Sequence, residues 1–247
     1  MNANNWNKMY GELRDCLFPG NRYPHEPLIH FISNIGRSSD NTDNYIREVL
    51  DLHRHYNKKL FDDQLTLERK ALDIGFGTIS DLIMLLDYGY KGYGVEVSDH
   101  AIECARRAAK HFDYPISVSH YKPYNLDFSD SYFDLVVSNA SAYYNVDFEK
   151  FLKETYRVLK KDGYFFHRMI AKDHGYFENN YADHCYSNVY EWTRYPLDEI
   201  NGLQFVCYDK QELYDVFNRD FKNVKVSYLK YDYQTLKQSW WIVTGKK

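Results

Sequence analysis

Two glycines and one acid are the residues of this chain whose types and spacing best suit ligand chemistry. Gly75 and Gly77 follow the short apolar run 71–74, and Glu96 lies in the next apolar run, 92–97. Glycine accepts backbone angles and a close ligand approach that a Cβ would prevent. In a strand–turn–helix–strand unit, backbone amides of the turn hold one end of a nucleoside and the acid takes the ribose hydroxyls. The spacing therefore predicts a nucleoside-binding βαβ unit.

The glycine turn departs from the dinucleotide-binding fingerprint at one position. A G-x-G-x-x-G match would require glycine at position 80, where the sequence has Ser80. The third glycine allows the helix to pack closely on the strand beneath a pyrophosphate. Its absence weakens the case for a nicotinamide-dependent oxidoreductase, which stays open as an alternative.

Four segments, in order along the chain, resemble the class I methyltransferases that depend on S-adenosylmethionine (SAM). The segments are ALDIGFGT (71–78), GVEVS (94–98), NLDFSDSYFDLVVSN (125–139) and ETYRVLKKDG (154–163). The resemblance covers about residues 70–170. It implies a methyltransferase with SAM as cofactor and S-adenosylhomocysteine as product.

The resemblance also implies a set of cofactor contacts. Three of them belong to an amino-terminal segment that, in small-molecule members of the family, closes over the cofactor. The others follow the glycine turn and the ends of the predicted strands. The implied contacts are Tyr10, Arg22, Tyr23, Asp73, Gly75, Gly77, Thr78, Glu96, Val97, Asn125, Leu126 and Asn139.

Two positions depart from the family pattern. Ile79 stands where members usually have glycine, and the segment 121–124 lacks the acid that usually contacts the adenine amino group. These departures keep a second alternative open, namely a non-catalytic protein with this fold that acts as a binding or scaffolding subunit.

Methyl transfer is a direct displacement at an activated carbon, so the protein must exclude water and align the acceptor. By resemblance, Asn139 lies near the transferred methyl group, and Tyr143 lines the acceptor pocket beside Tyr144. His167, near the end of the fifth strand, titrates near neutrality and is the predicted general base. A satisfied structural histidine at the end of the strand is the equally weighted alternative. A histidine base favours a hydroxyl acceptor over an amine.

Three further residues are predicted substrate contacts. Arg168 suits an anionic group such as a phosphate or a carboxylate. His174 and His184 each follow an aspartate in a segment that, by resemblance, caps the substrate. Their spacing matches no tight metal-ligand motif, so we predict no metal site. The acceptor is expected to be a small polar molecule, such as a sugar, a sugar nucleotide or a phosphate-bearing intermediate of surface-polysaccharide or natural-product biosynthesis.

The elements that position these residues alternate along the chain, and alternating strands and helices predict an α/β fold. We expect a Rossmann-like, doubly wound sheet of seven strands, mostly parallel, with a C-terminal antiparallel hairpin and helices on both faces. Residues 1–66 would form an N-terminal helical cap. Residues 67–247 would form the SAM-binding core, with an irregular substrate-capping insertion at about 171–205. Strands are predicted at 71–74, 92–97, 115–119, 133–138, 163–170, 222–231 and 239–245, and helices at 79–88, 99–112, 147–160 and 210–218.

Composition limits the partners of the protein. The chain of 247 residues carries a net charge of −4 and lacks the basic patch expected of a protein that grips nucleic acid. No apolar run approaches the ~18 residues of a membrane span, and the polar start does not resemble a signal peptide. We therefore expect a cytoplasmic protein, monomeric or homodimeric, whose partner is a small-molecule acceptor rather than nucleic acid or a membrane.

Overall fold

The computed structural model of the protein describes residues 26–34, 69–233 and 236–247. Two single turns of 3₁₀ helix, Ala142–Tyr144 and Asp198–Ile200, accompany the longer elements. In chain order the helices and strands are α1 (Glu26–Asn34), β1 (Arg69–Ile74), α2 (Ser80–Asp87), β2 (Tyr90–Glu96), α3 (Asp99–Phe112), β3 (Ile116–His120), β4 (Phe133–Asn139), α4 (Phe148–Val158), β5 (Leu159–Ile170), α5 (Gly175–Glu178), β6 (Ala182–Tyr186), β7 (Val189–Trp192), β8 (Gln204–Val206), α6 (Lys210–Phe217), β9 (Lys222–Tyr233) and β10 (Leu236–Lys246).

Seven strands form the main sheet in the order β3-β2-β1-β4-β5-β10-β9. The first five are parallel, and β10 pairs antiparallel with both β5 and β9. The predicted Rossmann-like fold with its C-terminal hairpin is therefore confirmed. Because the chain winds in opposite directions from β1, a crevice opens at the carboxyl ends of the strands, where such folds bind ligands.

The central strands are apolar because both of their faces are covered. Residues 71–74 of β1 and 135–138 of β4 are all buried. One core cluster contains Phe165 and Phe217, and a second contains Leu82 and Phe166. Helices on both faces of the sheet hold the strand ends, and hence the crevice, in fixed positions.

Helix α1 is the described part of the predicted N-terminal cap. Leu28 and Ile32 are buried in the same core cluster as Ile79, and the Phe31 ring lies 5.5 Å from that of Phe166. Ile79 therefore packs in the core. The remainder of the segment 1–66 lies outside the described residues, and the division into cap and core stays a prediction.

The segment after β5, predicted to be irregular, contains a second sheet. Strands β6, β7 and β8 pair antiparallel in that order. Trp192 at the end of β7 stacks on Phe205 of β8 with ring centroids 4.2 Å apart. Among the described residues, no helix combines the length and the apolar character that crossing a membrane would require.

Candidate active site

The glycine turn follows β1 and is shaped by its neighbours. Gly75 and Gly77 have φ values of 74° and 49°, which favour glycine. A Cβ on Gly75 would lie 2.5 Å from the Cβ of Ser141. The Ser141 hydroxyl donates to the carbonyl oxygen of Ile74. Gly75 is thus required by the close approach of the β4 loop, a reason that the sequence did not reveal.

Glu96 joins the glycine turn to the end of β2. One carboxylate oxygen accepts the N–H of Gly77 at 3.0 Å, and the other accepts those of Val97 at 2.7 Å and Ser98 at 3.1 Å. Burial raises the pKa of Glu96, and these three hydrogen bonds oppose the rise. The structure therefore brings together the predicted residues Gly77, Glu96 and Val97. It fixes a carboxylate where the hydroxyls of a nucleoside can donate to it.

A second carboxylate, that of Asp73, lies beside this turn. Asp73 is 1% exposed, and neither of its carboxylate oxygens has a hydrogen-bond partner among the described residues. Burial, and then the charges of Asp81 and Glu96, raise its pKa well above the usual value. A buried carboxylate that lacks a partner suits a ligand that brings positive charge. SAM carries a sulfonium and an ammonium group, and this acidic cluster of Asp73, Asp81 and Glu96 fits them.

Asp81 and Asn139 connect the cofactor end of the crevice to β4. The Asn139 side-chain amide donates to a carboxylate oxygen of Asp81 at 2.8 Å. Sequence reasoning missed Asp81, although its place in the first turn of α2, just after the glycine turn, was a usable signal. Thr78, also predicted as a cofactor contact, has its hydroxyl 3.2 Å from that of Ser80 in the same turn.

A cleft of about 210 Å³ opens beside the ends of β2 and β3. The predicted residues Asn125 and Leu126 form part of its wall, opposite Val95. Sequence reasoning missed Asp127, which also lines the cleft and follows Leu126 directly in the motif. Asp127 supplies a carboxylate that segment 121–124 lacks, so this cleft suits the adenine end of a nucleoside.

Two residues of α4 hold this cleft wall in place, and sequence reasoning assigned them no role. Glu154 accepts the N–H of Leu126 at 2.9 Å. The Arg157 guanidinium donates to the carbonyl oxygens of Leu126 at 2.8 Å and Phe128 at 2.7 Å. The same guanidinium makes two hydrogen bonds of 2.9 Å to Glu154. The backbone N–H and the carbonyl oxygen of Leu126 are therefore both held by the ion pair between Glu154 and Arg157.

The other end of the crevice is aromatic. Tyr143, which is buried, has its ring 4.5 Å from that of Tyr144 and 6.4 Å from that of Trp240. Burial raises the pKa of Tyr143 well above its usual value and that of Tyr144 to about 12. Both phenols are therefore neutral near pH 7 and can orient a polar group through hydrogen bonds.

Arg168 and His174 lie at this aromatic end. The guanidinium carbon of Arg168 is 3.9 Å from the centre of the Trp240 ring, and the His174 ring meets the same indole edge-on at 4.9 Å. Arg168 also acts electrostatically on both Tyr143 and His174. Three predicted residues, Tyr143, Arg168 and His174, therefore lie together around Trp240.

The prediction that His167 is the general base is wrong. His167 is fully buried, and its ring lies 5.4, 5.3 and 5.8 Å from the rings of Phe151, Phe165 and Phe217. Within the described ranges of the chain, neither ring nitrogen has a hydrogen-bond partner, and burial lowers the pKa of His167 to about 3. A histidine packed among three phenylalanine rings cannot reach an acceptor in the crevice.

His184, another predicted substrate contact, lies on the second sheet, and its role stays a prediction. His184 is exposed on β6, and its Nε2 lies 2.7 Å from the carbonyl oxygen of Ser187 in its own hairpin. The predicted contacts Tyr10, Arg22 and Tyr23 lie outside the described residues. Among the residues that the structure describes, no group of three or more His, Cys, Asp or Glu could hold a metal ion.

Comparison with known proteins supports the class that the sequence predicts. Residues 72–167 match a family described as a methyltransferase domain. This match supports the predicted class I SAM-dependent methyltransferase, with SAM as its cofactor, over the nicotinamide-dependent oxidoreductase. None of the curated proteins compared with the sequence matches it.

Solved structures share the fold at low sequence identity. A SAM-dependent methyltransferase from Methanosarcina mazei is 19% identical, with a TM-score of 0.59 over 76% of this chain and 96% of that one. A possible histamine N-methyltransferase from Thermotoga maritima is 22% identical, with a TM-score of 0.53 over 83% and 95% of the chains. The 1,6-didemethyltoxoflavin-N1-methyltransferase of Burkholderia thailandensis, solved with S-adenosylhomocysteine, is 13% identical, with a TM-score of 0.54 over 85% and 92%.

Proposed function

We propose that the protein transfers a methyl group from SAM to a small polar acceptor bound at the aromatic end of the crevice. One observation carries this proposal. Asn139 donates to Asp81 in the acidic cluster and is the register partner of Arg168 on β5. The cofactor end and the acceptor end therefore meet at Asn139.

Bound SAM supplies an activated methyl group, and the chain positions the two reactants. Glu96 would hold the ribose, and the acidic cluster would balance the positive charge of the cofactor. Asn139 would orient the reacting groups, and Tyr143 would hydrogen-bond to the acceptor as a neutral phenol. The aromatic walls would exclude water. Holding two reactants in alignment removes much of the entropic barrier to a displacement.

The structure changes the proposal about the acceptor atom. The preference for a hydroxyl depended on a base at His167, which lies outside the crevice. Either a hydroxyl or an amine therefore fits the site. We retain the proposal of a sugar, a sugar nucleotide or another phosphate-bearing intermediate of surface-polysaccharide or natural-product biosynthesis. The polar groups and aromatic walls of the pocket support it.

The proposal also includes a cytoplasmic location and a small-molecule partner in place of nucleic acid or a membrane, with the protein a monomer or a homodimer. The support is the net charge of −4, which does not favour binding to phosphate backbones.

Transfer of labelled methyl groups from SAM to a panel of sugars, sugar nucleotides and amines tests the proposal. Asn139→Ala should lower turnover by about 10²-fold, because alignment errors at the reacting centre cost this much. Asn218→Ala, at an exposed position after α6, is the matched control and should leave turnover unchanged. SAM binding without transfer to any member of the panel would favour the non-catalytic alternative.

A further inference from the structure

We propose that Arg168 and His174 form a binding site for an oxyanion of the acceptor, so that the methyl acceptor is an acid carrying a carboxylate or a phosphate. This inference rests on the proposed function, because it names the chemical class of the molecule that the aromatic end of the crevice receives. The inference follows from two buried hydrogen-bond donors, Arg168 Nε and His174 Nε2, for which the described part of the chain supplies no acceptor.

Arg168 is a buried cation that forms no ion pair with any residue that the structure describes. Its side chain is 7% exposed, its Nε is buried without a partner, and no described residue forms an ion pair or hydrogen bond with its guanidinium. Asp81 acts on Arg168 electrostatically, while a carboxylate oxygen of Asp81 accepts a hydrogen bond from Asn139. A charge taken out of water is strongly unfavourable unless it is paired, so an unpaired buried guanidinium indicates that its anion comes from a ligand.

His174 adds a neutral donor. It is fully buried, and its Nδ1 accepts the backbone N–H of Tyr176 at 3.2 Å. In a neutral imidazole with Nδ1 as acceptor, the proton resides on Nε2. This Nε2 is buried, and no residue that the structure describes accepts a hydrogen bond from it. Burial, followed by the charge of Arg168, lowers the pKa of His174 to about 4, so the ring is neutral near pH 7.

Both donor residues contact the same ring, that of Trp240. Arg168 lies over the face of Trp240 at 3.9 Å, and His174 meets the same ring edge-on at 4.9 Å. A planar guanidinium presents a fork of N–H groups that matches a carboxylate or a phosphate. Because Arg168 is the register partner of Asn139, an acceptor anchored at Arg168 can extend toward the acidic cluster where SAM binds. A site with two donors and one positive charge selects oxyanions and rejects cations.

Small probes test the site without knowledge of the natural acceptor. Calorimetric titrations on protein saturated with S-adenosylhomocysteine would use benzoate, inorganic phosphate and the neutral control benzamide. We expect benzoate or phosphate to bind more tightly than benzamide. Tighter binding of benzoate would indicate a carboxylate on the acceptor, and tighter binding of phosphate would indicate a phosphate. Arg168→Met should lower the affinity for that anion about tenfold or more, which is typical for loss of a hydrogen bond to a charged group.

Two variants separate anion binding from packing. Arg168→Lys keeps the charge but loses the fork, so its anion affinity should lie between those of wild type and Arg168→Met. His174→Phe keeps an aromatic ring against Trp240 but removes the Nε2 donor. It should lower the anion affinity less than Arg168→Met does. The matched control is Arg219→Met, which removes an exposed arginine paired with Glu149 and should leave the anion affinity unchanged.

Three results would overturn the proposal. The first is equal affinity for benzoate, phosphate and benzamide in the wild type. The second is unchanged anion affinity in Arg168→Met. The third is a loss of S-adenosylhomocysteine affinity in Arg168→Met with intact anion binding, which would assign Arg168 to the cofactor carboxylate. Failure of the proposed function would look different, because anion and cofactor would bind normally while no methyl group was transferred.

Discussion

Replacement of His167 by phenylalanine tests whether this residue is structural or catalytic. The ring is enclosed by phenylalanine side chains, and burial lowers its pKa from 6.5 to about 3. Since the folded protein holds the neutral form, the contribution of His167 to stability is fully present above pH 6.5. This contribution is lost as the pH falls toward 3. At pH 5, which is about 1.5 units below the unfolded pKa, the loss is about 2 kcal/mol at 1.36 kcal/mol per unit.

The free energy of unfolding of wild type and His167→Phe should therefore be measured in urea between pH 8 and pH 5. Other titrating groups are common to both proteins, so the difference between them isolates His167. We expect this difference to shift by about 2 kcal/mol in favour of the variant as the pH falls. Methyl transfer by the variant should persist. Asn218→Ala, which removes no titrating group from an exposed position after α6, is the control, and its difference from wild type should stay constant with pH.

A difference that stays constant with pH would refute the burial argument, and loss of methyl transfer in a stably folded His167→Phe variant would restore the general-base role.

Three further predictions concern the cofactor end. Glu96→Ala should weaken SAM binding by about 1.5–3 kcal/mol in calorimetry, whereas Glu103→Ala, at an exposed position, should leave SAM binding unchanged. Equal SAM affinities of wild type and Glu96→Ala would show that Glu96 is not part of the cofactor site. Gly75→Ala should lower the free energy of unfolding by about 1–3 kcal/mol, because its Cβ meets Ser141 and its φ is positive; wild-type stability would contradict the close approach. In Arg157→Lys the ammonium group cannot span the carbonyl oxygens of Leu126 and Phe128, so the KM for SAM should rise about tenfold while kcat and the KM for the acceptor stay constant. An unchanged KM for SAM would mean that Arg157 contributes only to the stability of the fold.

The fold could be predicted where local signals decide it. Helix α3 occupies the predicted range 99–112 because Ser98 caps its first turn through the backbone N–H of Ala101. The glycine turn and the acid after β2 were likewise visible because each lies next to its strand. Their hydrogen bonds with each other follow from the parallel pairing of β1 with β2.

Features that depend on contacts distant in sequence could not be predicted. His167 is enclosed partly by Phe217 of α6, and nothing in the sequence near β5 shows this contact. The second sheet was missed because β6 is short and mostly exposed, so it lacks the alternation that identifies a strand. The role of Arg157 was hidden for the same reason, since its loop partners lie about thirty residues away.

Calorimetric titration of the wild-type protein with S-adenosylhomocysteine, SAM and NAD tests the central claim most directly. We predict that the first two bind at one site per chain and that Glu96→Ala weakens both, while NAD does not bind. Binding of NAD without binding of either methionine-derived ligand would contradict the assignment of the crevice to SAM.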